Sequence, residues 1–320
     1  MQSPLRFSVI VPALNEEVHI EKCLTCLCRQ TLALALFEVI LVDNGSTDRT
    51  VVLAEGFADR LPLRTLTLPR CTISELRNRG SSQAAGPILA FLDADCMPER
   101  EWLERALTLA KDNMIWGAHY LVQRDATWVG RIWFRHQATE EAGEVRFLPG
   151  GCLFVTGAAF HALGEFNPAV QTSEDVDLCS RAWRKGMKVM AYPSLAVYHE
   201  GTPRTLARFY RQNRWHGKHV LRVFLAELPA TRNLPLILLT VYTFLAFWAV
   251  PLVFALAFPW HIALAAIPLG LLLLPPLLLA LGKAVRSRSP GDLAGLFVLY
   301  LTYLLARAAA LAQIPNRRRR

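Results

Sequence analysis

The chain has 320 residues with a formal net charge of +9, and residues 1–200 carry the mixed charges of a soluble domain. By contrast, residues 234–314 are rich in Leu, Ala and Pro, and basic residues gather at 204–232, 283–288 and 317–320. The first half has no basic patch interleaved with aromatic residues, so composition argues against nucleic-acid binding and favours a soluble domain on a membrane anchor.

The seven cysteines show no spacing typical of a disulfide framework, which indicates a reducing compartment. Cys23, Cys26 and Cys28 resemble half of a zinc site, but no second pair of Cys or His residues follows at a suitable distance. Because Cys23 lies on an apolar helical stripe, core packing is favoured over zinc binding. Residues 1–7 lack the pattern of a signal peptide, and we expect none.

Four short apolar segments alternate with helical patterns in the first hundred residues. The predicted strands are 7–11, 37–42, 63–68 and 87–92. The predicted helices are 15–30, with Asn15, Glu16 and Glu17 capping its N-terminus, a second that opens at Thr47 and Asp48, and 74–85. This alternation predicts an α/β fold, in which helices cover both faces of a parallel sheet.

Three polar segments follow predicted strands, and ligands of parallel sheets bind beyond the carboxyl ends of the strands. We therefore expect 13–17, 43–48 and 93–95 to meet at one rim. Along the extended segment, Asp93 and Asp95 project to the same side, and two close carboxylates repel unless a cation lies between them. A hard divalent cation, with phosphate oxygens at its other positions, would remove that repulsion.

Several motifs occur in order along about 190 residues. They are VIVPALNEE at 9–17, VDNGSTD at 42–48, RNRG at 77–80, DAD at 93–95, GG at 150–151, GEF at 164–166, SEDVDL at 173–178 and YHEG at 198–201. Together they resemble the family-2 glycosyltransferases, whose catalytic domain has the GT-A fold with a Rossmann-like, mostly parallel sheet. One motif alone is weak, whereas the ordered set is specific.

The resemblance implies a nucleotide-sugar donor, with UDP favoured and GDP or dTDP as alternatives, and Mg²⁺ or Mn²⁺ as cofactor. Nucleotide contacts would come from Pro12, Ala13, Asn15, Glu17, Asp43, Arg77 and Asp93. Asp95 and His199 would hold the metal. Asp175 would be the general base, with Glu174 as its acidic neighbour. Two alternatives stay open: Glu174 and Asp175 also suit a helix N-terminus, and His199 also suits a structural role.

The segment Gln212, Asn213, Arg214 and Trp215 is one residue short of the Gln-x-x-Arg-Trp signature of processive polysaccharide synthases, because Arg211 stands where Gln is expected. This departure and the small number of apolar segments argue against a translocation pore. We therefore expect a non-processive enzyme, in which Arg214 and Trp215 contact the acceptor or the diphosphate.

Four regions follow from these patterns. Residues 1–202 form the predicted catalytic domain, 203–232 a basic amphipathic helix and linker, 233–315 the transmembrane helices, and 316–320 a basic tail. The basic helix would lie in the membrane interface. Alternatively, it packs on the catalytic domain with a solvated basic face.

Two uncharged runs, 234–258 and 262–281, are each long enough to cross a bilayer, and the Pro-Trp-His sequence at 259–261 predicts a tight turn between them. A third run, 293–314, is apolar enough to cross but carries Arg307. A third crossing would place the C-terminal arginines outside, against the positive-inside rule, so the sequence leaves two or three crossings open.

We therefore predict an inverting, non-processive glycosyltransferase in the plasma membrane, with a cytoplasmic catalytic domain and a lipid or lipid-linked acceptor. The first alternative is a polyprenyl-phosphate glycosyltransferase, whose anionic acceptor needs little help from a base. The second is a catalytically idle scaffold that binds a nucleotide, against which the intact carboxylates argue. A nucleotidyltransferase is disfavoured because its Gly-rich, Lys-containing phosphate loop is missing near the N-terminus.

Overall fold

The structure is a computed structural model that describes residues 5–123, 125–138, 140–170, 172–217, 234–257 and 262–311. The chain divides into two compact units. The first consists of Met1–Arg124 and Gln137–Thr202, and the second of Asp125–His136 and Pro203–Arg320. A short insert in the sequence of the first unit therefore belongs to the second unit, together with the apolar C-terminal part.

The first unit contains a mixed eight-stranded sheet. Its strands are β1 (Phe7–Ala13), β2 (Phe37–Asp43), β3 (Leu63–Thr67), β4 (Ile88–Leu92), β6 (Met114–Gly117), β7 (Gly143–Glu144), β8 (Cys152–Thr156) and β9 (Lys188–Ala191). A separate antiparallel pair is formed by β5 (Cys96–Met97) and β10 (Tyr198–His199). The order is β3-β2-β1-β4-β8-β6-β9-β7, in which the first four strands are parallel and β8 runs antiparallel to both its neighbours. The α/β fold with a mostly parallel sheet is confirmed.

Helices cover both faces of this sheet. The helices of the first unit are α1 (Ile20–Cys28), α2 (Thr50–Glu55), α3 (Ile73–Ser82), α4 (Trp102–Leu109), α6 (Gly157–Leu163) and α7 (Glu174–Arg184). In β1, Val9 and Val11 belong to one apolar core with Leu24 of α1, whereas Ile10 belongs to the other core with Leu76 of α3. Because both faces are covered, the strand is buried at every position, which explains why every residue except Ser8 is apolar.

The predicted N-terminal cap of the first helix is wrong. The helix begins at Ile20, because the Glu16 carbonyl accepts hydrogen bonds from the N–H groups of His19 and Ile20 and closes a turn first. Asn15 has a φ of +55°, and its side-chain oxygen accepts a 2.8 Å bond from the Thr47 N–H instead. The motif therefore joins the loop after β1 to the loop after β2, rather than starting the helix.

Within the residues that the structure describes, the second unit consists of helices. They are α5 (Trp128–Arg135), α8 (Leu206–His216), α9 (Leu234–Ala257), α10 (Ile262–Arg286) and α11 (Leu293–Leu311). The last three are each long and apolar enough to cross a membrane. The predicted turn at 259–261, the basic tail at 316–320 and the part of the predicted basic helix after residue 217 lie outside the described residues.

Candidate active site

The first group of acidic residues follows the carboxyl end of β4. Asp93 and Asp95 leave that strand, and Asp95 directly precedes β5, whose Cys96 lies opposite His199 of β10. The pairing brings His199 Nε2 to 3.4 Å from Asp95 Oδ2, and the Asp95 carbonyl accepts a bond from the N–H of Glu200. A two-residue strand late in the chain thus supplies an imidazole to the Asp-x-Asp motif.

A buried arginine joins this motif to the N-terminus of α7. Arg77 Nη2 donates to Asp93 Oδ1 at 2.7 Å, and Nη1 donates to Glu174 Oε1 at 2.6 Å. The Arg77 side chain is only 3% exposed, and the two carboxylates together raise its pKa against the opposing effect of burial. One guanidinium therefore neutralises a carboxylate from each segment and holds the two segments close together.

Two adjacent glycines complete the connection between Asp175 and the Asp-x-Asp motif. The Gly150 N–H donates to Asp175 Oδ2 at 3.1 Å, and the Gly151 N–H donates to the Tyr120 hydroxyl at 3.2 Å. That hydroxyl donates in turn to Asp93 Oδ2 at 3.2 Å. A Cβ atom on Gly151 would overlap Asp93 Oδ2, so this position needs glycine. Asp175 and the Asp-x-Asp motif consequently belong to one site.

Burial shifts the acidities of two carboxyls in this site. Burial, reinforced by the charge of Glu174 and opposed by Arg77, raises the pKa of Asp175 to about 7. Burial and the charge of Asp93 also raise the pKa of Asp95, although His199 opposes that shift. A carboxyl that titrates near neutrality is suited to accept a proton during catalysis.

The residues after β4 and in β10 have the donor set of a divalent metal site. One ligand atom from each of Asp93, Asp95, Cys96 and His199 lies within 4.8 Å of the others. Burial raises the pKa of the Cys96 thiol well above its ordinary value. Hard divalent cations prefer oxygen and accept imidazole. Asp93, Asp95 and His199 therefore fit a hard divalent metal, which has less preference for a thiol.

A second group of predicted residues lies at the ends of β1 and β2. Both carboxylate oxygens of Asp43 accept bonds from its own turn, from the N–H groups of Gly45 and Ser46 and from the Ser46 hydroxyl. Glu17 Oε2 accepts a 3.2 Å bond from the Arg49 N–H. Pro12 and Ala13 are buried at the end of β1. With Asn15, these residues shape the two loops at the carboxyl edge of the sheet, and their nucleotide contacts remain a prediction.

Sequence reasoning missed Tyr120 and the pair Glu16 and His19. The Tyr120 ring stacks on the His199 ring, with centroids 4.4 Å apart, while its hydroxyl contacts Asp93. Glu16 Oε2 lies 2.7 Å from His19 Nδ1, and burial and the charge of Asp95 contribute to raising the Glu16 pKa. Tyr120 follows β6, so the rule that polar residues follow strands could have found it if that strand had been predicted.

Arg214 and Trp215 lie on α8, in the second unit. Both are exposed; the Arg214 guanidinium lies 5.9 Å from the ring centroid of Tyr210, and the Trp215 ring contacts the ring of His216. Their predicted contacts with acceptor or diphosphate remain a prediction.

Replacing Gly201 with alanine is expected to weaken metal binding. A Cβ atom there would overlap Asp95 Oδ2 and lie 2.6 Å from His199 Cε1, so both metal-ligand side chains must move. Changes next to metal ligands typically weaken affinity about 10- to 100-fold, which a Mn²⁺ titration would measure. Gly143→Ala is the matched control, because nothing lies within 4 Å of its Cβ position. Equal Mn²⁺ affinities for the two variants would contradict the assignment of Asp95 and His199 as metal ligands.

Replacing Arg77 with methionine is expected to destabilise the protein by about 3–5 kcal/mol, because Asp93 and Glu174 would lose the cation between them. Denaturant unfolding of the purified chain in detergent would measure the change. Arg105→Met is the control: this arginine pairs with Glu99 and Glu101 at the surface, where about 0–1 kcal/mol is expected. Similar losses of unfolding free energy for both variants would show that the buried bridge contributes no more than a surface ion pair.

The fold and the site define a GT-A glycosyltransferase, since an acidic motif after β4 and a carboxylate at the start of α7 share one site beyond a mostly parallel sheet. The model for glycosyl transferase family 2 matches residues 8–162, and the model for glycosyl transferase family group 2 matches residues 89–309. The chain belongs to the family-2 glycosyltransferases.

Two proteins with similar sequences are both named as glycosyltransferases. The chain is 42% identical over 112 residues to the glycosyltransferase AglE of Haloferax volcanii, a match that covers 34% of this chain and 36% of AglE. It is 29% identical over 210 residues to a PGL/p-HBAD biosynthesis glycosyltransferase of Mycobacterium bovis, which covers 62% of this chain and 77% of that protein. The chain thus spans only about a third of AglE but most of the mycobacterial enzyme.

Among solved structures, the fold resembles the mannosyltransferase PcManGT of Pyrobaculum calidifontis, determined in complex with GDP-Man and Mn²⁺. The TM-score is 0.64 and the identity 22%, and the match covers 95% of this chain and 87% of that one. At this identity the likeness concerns the fold alone.

Proposed function

We propose that this glycosyltransferase is inverting and non-processive, and that it moves a sugar from a nucleoside diphosphate to a lipid or lipid-linked acceptor. The observation that carries the proposal is the connection between Asp175 and Asp93 through Gly150, Gly151 and Tyr120. A base and a metal-binding motif held in one site match the two charge changes of glycosyl transfer. Negative charge develops on the departing diphosphate, and the acceptor loses a proton.

The donor's diphosphate would lie next to the Asp-x-Asp motif. Asp93, Asp95 and His199 would hold Mg²⁺ or Mn²⁺, which offsets the charge of the leaving diphosphate when bound. The loops that carry Asn15 and Asp43 flank the same edge of the sheet and would hold the nucleoside. UDP remains the favoured nucleotide, and the GDP-Man complex of PcManGT keeps GDP a clear alternative.

Asp175 would remove the proton of the acceptor hydroxyl. Its two oxygens accept single bonds, from the N–H groups of Gly150 and Val176, which orient the carboxylate and leave lone pairs for a proton. Glu174 is held by Arg77 and therefore serves as a charge that raises the pKa of Asp175 rather than as a second base. Attack from the face opposite the departing diphosphate would invert the anomeric centre.

The acceptor proposal depends on the apolar C-terminal helices. Three helices suited to a membrane would keep the chain where amphiphilic acceptors are concentrated, and a cytoplasmic catalytic domain would meet nucleotide sugars there. Arg214 and Trp215 would contact the acceptor or its phosphate. This part of the proposal concerns the plasma membrane and stands apart from the chemistry of the site.

The proposal is tested with membranes that contain the full chain, a lipid extract, and radiolabelled UDP-, GDP- and dTDP-sugars. We expect label to enter the lipid fraction from one donor class, to stop with EDTA, and to return with excess Mn²⁺ or Mg²⁺. Membranes with the Asp175→Asn chain serve as the control. Transfer that persists after complete chelation would overturn the metal role, and donor binding without any transfer would favour the idle scaffold.

A further inference from the structure

The helix α11 is buried differently from α9 and α10. Its buried residues occur along its length, at Leu296, Leu299, Leu304, Ala306, Ala308 and Ala310. Among the side chains described in α9, the buried ones lie near the start, at Ile237, Thr240 and Thr243. Among those described in α10, which begin at Ile267, the buried ones are Pro276, Ala280 and Ala284. Within these described side chains, cover of the α9–α10 pair therefore lies toward the end where α9 begins and α10 finishes.

The other side chains described in α9 and in the first half of α10 lack such cover. Among the side chains described in 244–257 and 267–275, none is buried, and several are more than half exposed, such as Leu245, Trp248 and Leu252. The contacts of Ala280 and Ala284 are with Leu296 and neighbouring residues at the start of α11. A third crossing helix would cover the other two along their length, whereas the buried side chains described in α9 and α10 lie toward the end where α9 begins and α10 finishes.

Amphipathic helices cover the other side of α11. Phe209 of α8 and Val129 of α5 form an apolar cluster with Leu299, and the Trp133 ring contacts the Phe209 and Tyr303 rings at 4.9 and 5.4 Å. Further along, α8 comes so close that a Cβ atom on Gly217 would lie 2.9 Å from the Cβ of Ala310. The two helices therefore follow α11 nearly from its first turn to its last.

These covering helices carry exposed cations. Arg208, Arg211 and Arg214 of α8 and Arg131 and Arg135 of α5 all have exposed side chains. If α11 crossed the bilayer, α8 would lie beside it at the same depth and would place its three arginines in hydrocarbon. Arginine is strongly disfavoured there unless it can reach water or phosphate.

The ends of α11 carry charge as well. Asp292, just before the helix, lies 3.1 Å from Arg135 Nη1 and 3.0 Å from His136 Nε2, and this cluster ties the start of α11 to the end of α5. Arg307, near the other end, packs its guanidinium over the Tyr303 ring at 4.9 Å. Charges at its ends alone would suit a crossing helix, whereas exposed arginines on the helices that cover it along its length favour a membrane surface.

We propose that α9 and α10 alone cross the membrane and that α11, with α5 and α8, forms a layer on the membrane surface. The surface layer is defined by these three helices, and its exposed arginines suit the phosphates of anionic lipid headgroups. Two crossings also put residues 283–288 and 317–320, both rich in arginine, on the same side. The proposal concerns how the chain meets lipid and does not depend on which sugar or acceptor it uses.

The sidedness of three epitope tags on the full chain tests this proposal. One tag precedes Met1, one follows Arg320, and one is inserted between α9 and α10. Sealed membrane vesicles of one known orientation are treated with protease, with and without detergent. We expect the two terminal tags to behave alike, so that the protease cuts both or neither. The inserted tag should give the opposite result.

Each other pattern overturns the proposal. A C-terminal tag on the same side as the inserted tag would mean that α11 crosses. All three tags on one side would mean that α9 and α10 do not cross, and mixed protection of the C-terminal tag would mean that no single topology exists. Thermal unfolding of each tagged chain in detergent, compared with the untagged chain, verifies that the tags leave the fold intact, and only chains with an unchanged unfolding midpoint are scored.

Discussion

Replacing Asp175 with asparagine is expected to lower kcat by about 10²- to 10⁴-fold, the usual contribution of a positioned general base. Asparagine keeps the shape of the side chain and the bond to the Val176 N–H, but it cannot accept a proton from the acceptor. Turnover with a saturating donor measures the effect. Asp177→Asn is the matched control on the same helix, since Asp177 pairs with Arg181.

The pH dependence of kcat/KM is a second, independent test of Asp175 as the general base. Because the pKa of Asp175 is raised to about 7, the carboxylate is present above that pH and lost below it. We therefore expect kcat/KM to rise between about pH 6 and pH 8 and then level, and the Asp175→Asn variant to lose this rise. Near-normal turnover of the variant with a flat profile would contradict a base at this position. It would favour a polyprenyl-phosphate acceptor, which is already anionic.

Replacing Asp95 with alanine, or removing the metal with EDTA, is expected to lower activity by about 10³-fold, because a divalent cation contributes several kcal/mol of charge stabilisation in the transition state. The variant would also bind Mn²⁺ more weakly, which a titration without donor measures directly. Asp59→Ala is the control, as this carboxylate is exposed on the surface.

The outcomes separate metal binding from other roles of Asp95. Added Mn²⁺ should restore the chelated wild-type chain but not the Asp95→Ala chain. If EDTA abolishes activity while Asp95→Ala binds Mn²⁺ normally, the metal lies elsewhere and the site described by Asp93, Asp95 and His199 is wrong.

Local sequence patterns were enough to predict the first half of the sheet. The segments that form β1, β2 and β4 are mostly apolar because both faces of the sheet are covered, and that pattern is visible without a structure. The acidic pair after β4 was predicted for the same reason, since polar residues that end a buried strand must emerge at its edge. The order of the motifs then identified the family, which the comparisons confirm.

Long-range contacts were not predictable in this way. His199 reaches Asp95 only because β10 pairs with β5, and Tyr120 reaches Asp93 only because β6 lies beside β8. Strand pairs of two to four residues carry too little periodicity to be recognised along a chain. The start of α1 was mispredicted because a turn at Glu16 competes with a cap, and the choice depends on the neighbouring loop.

Residue type and spacing within single segments are enough to predict the family, the α/β fold, the acidic residues that follow β4 and the apolar helices. The tertiary structure alone decided that Arg77 bridges Asp93 and Glu174, that Asp175 is buried enough to titrate near neutrality, and that α11 is covered by arginine-bearing helices. These features depend on which segments meet and on how much water they exclude, and neither is encoded in any single segment.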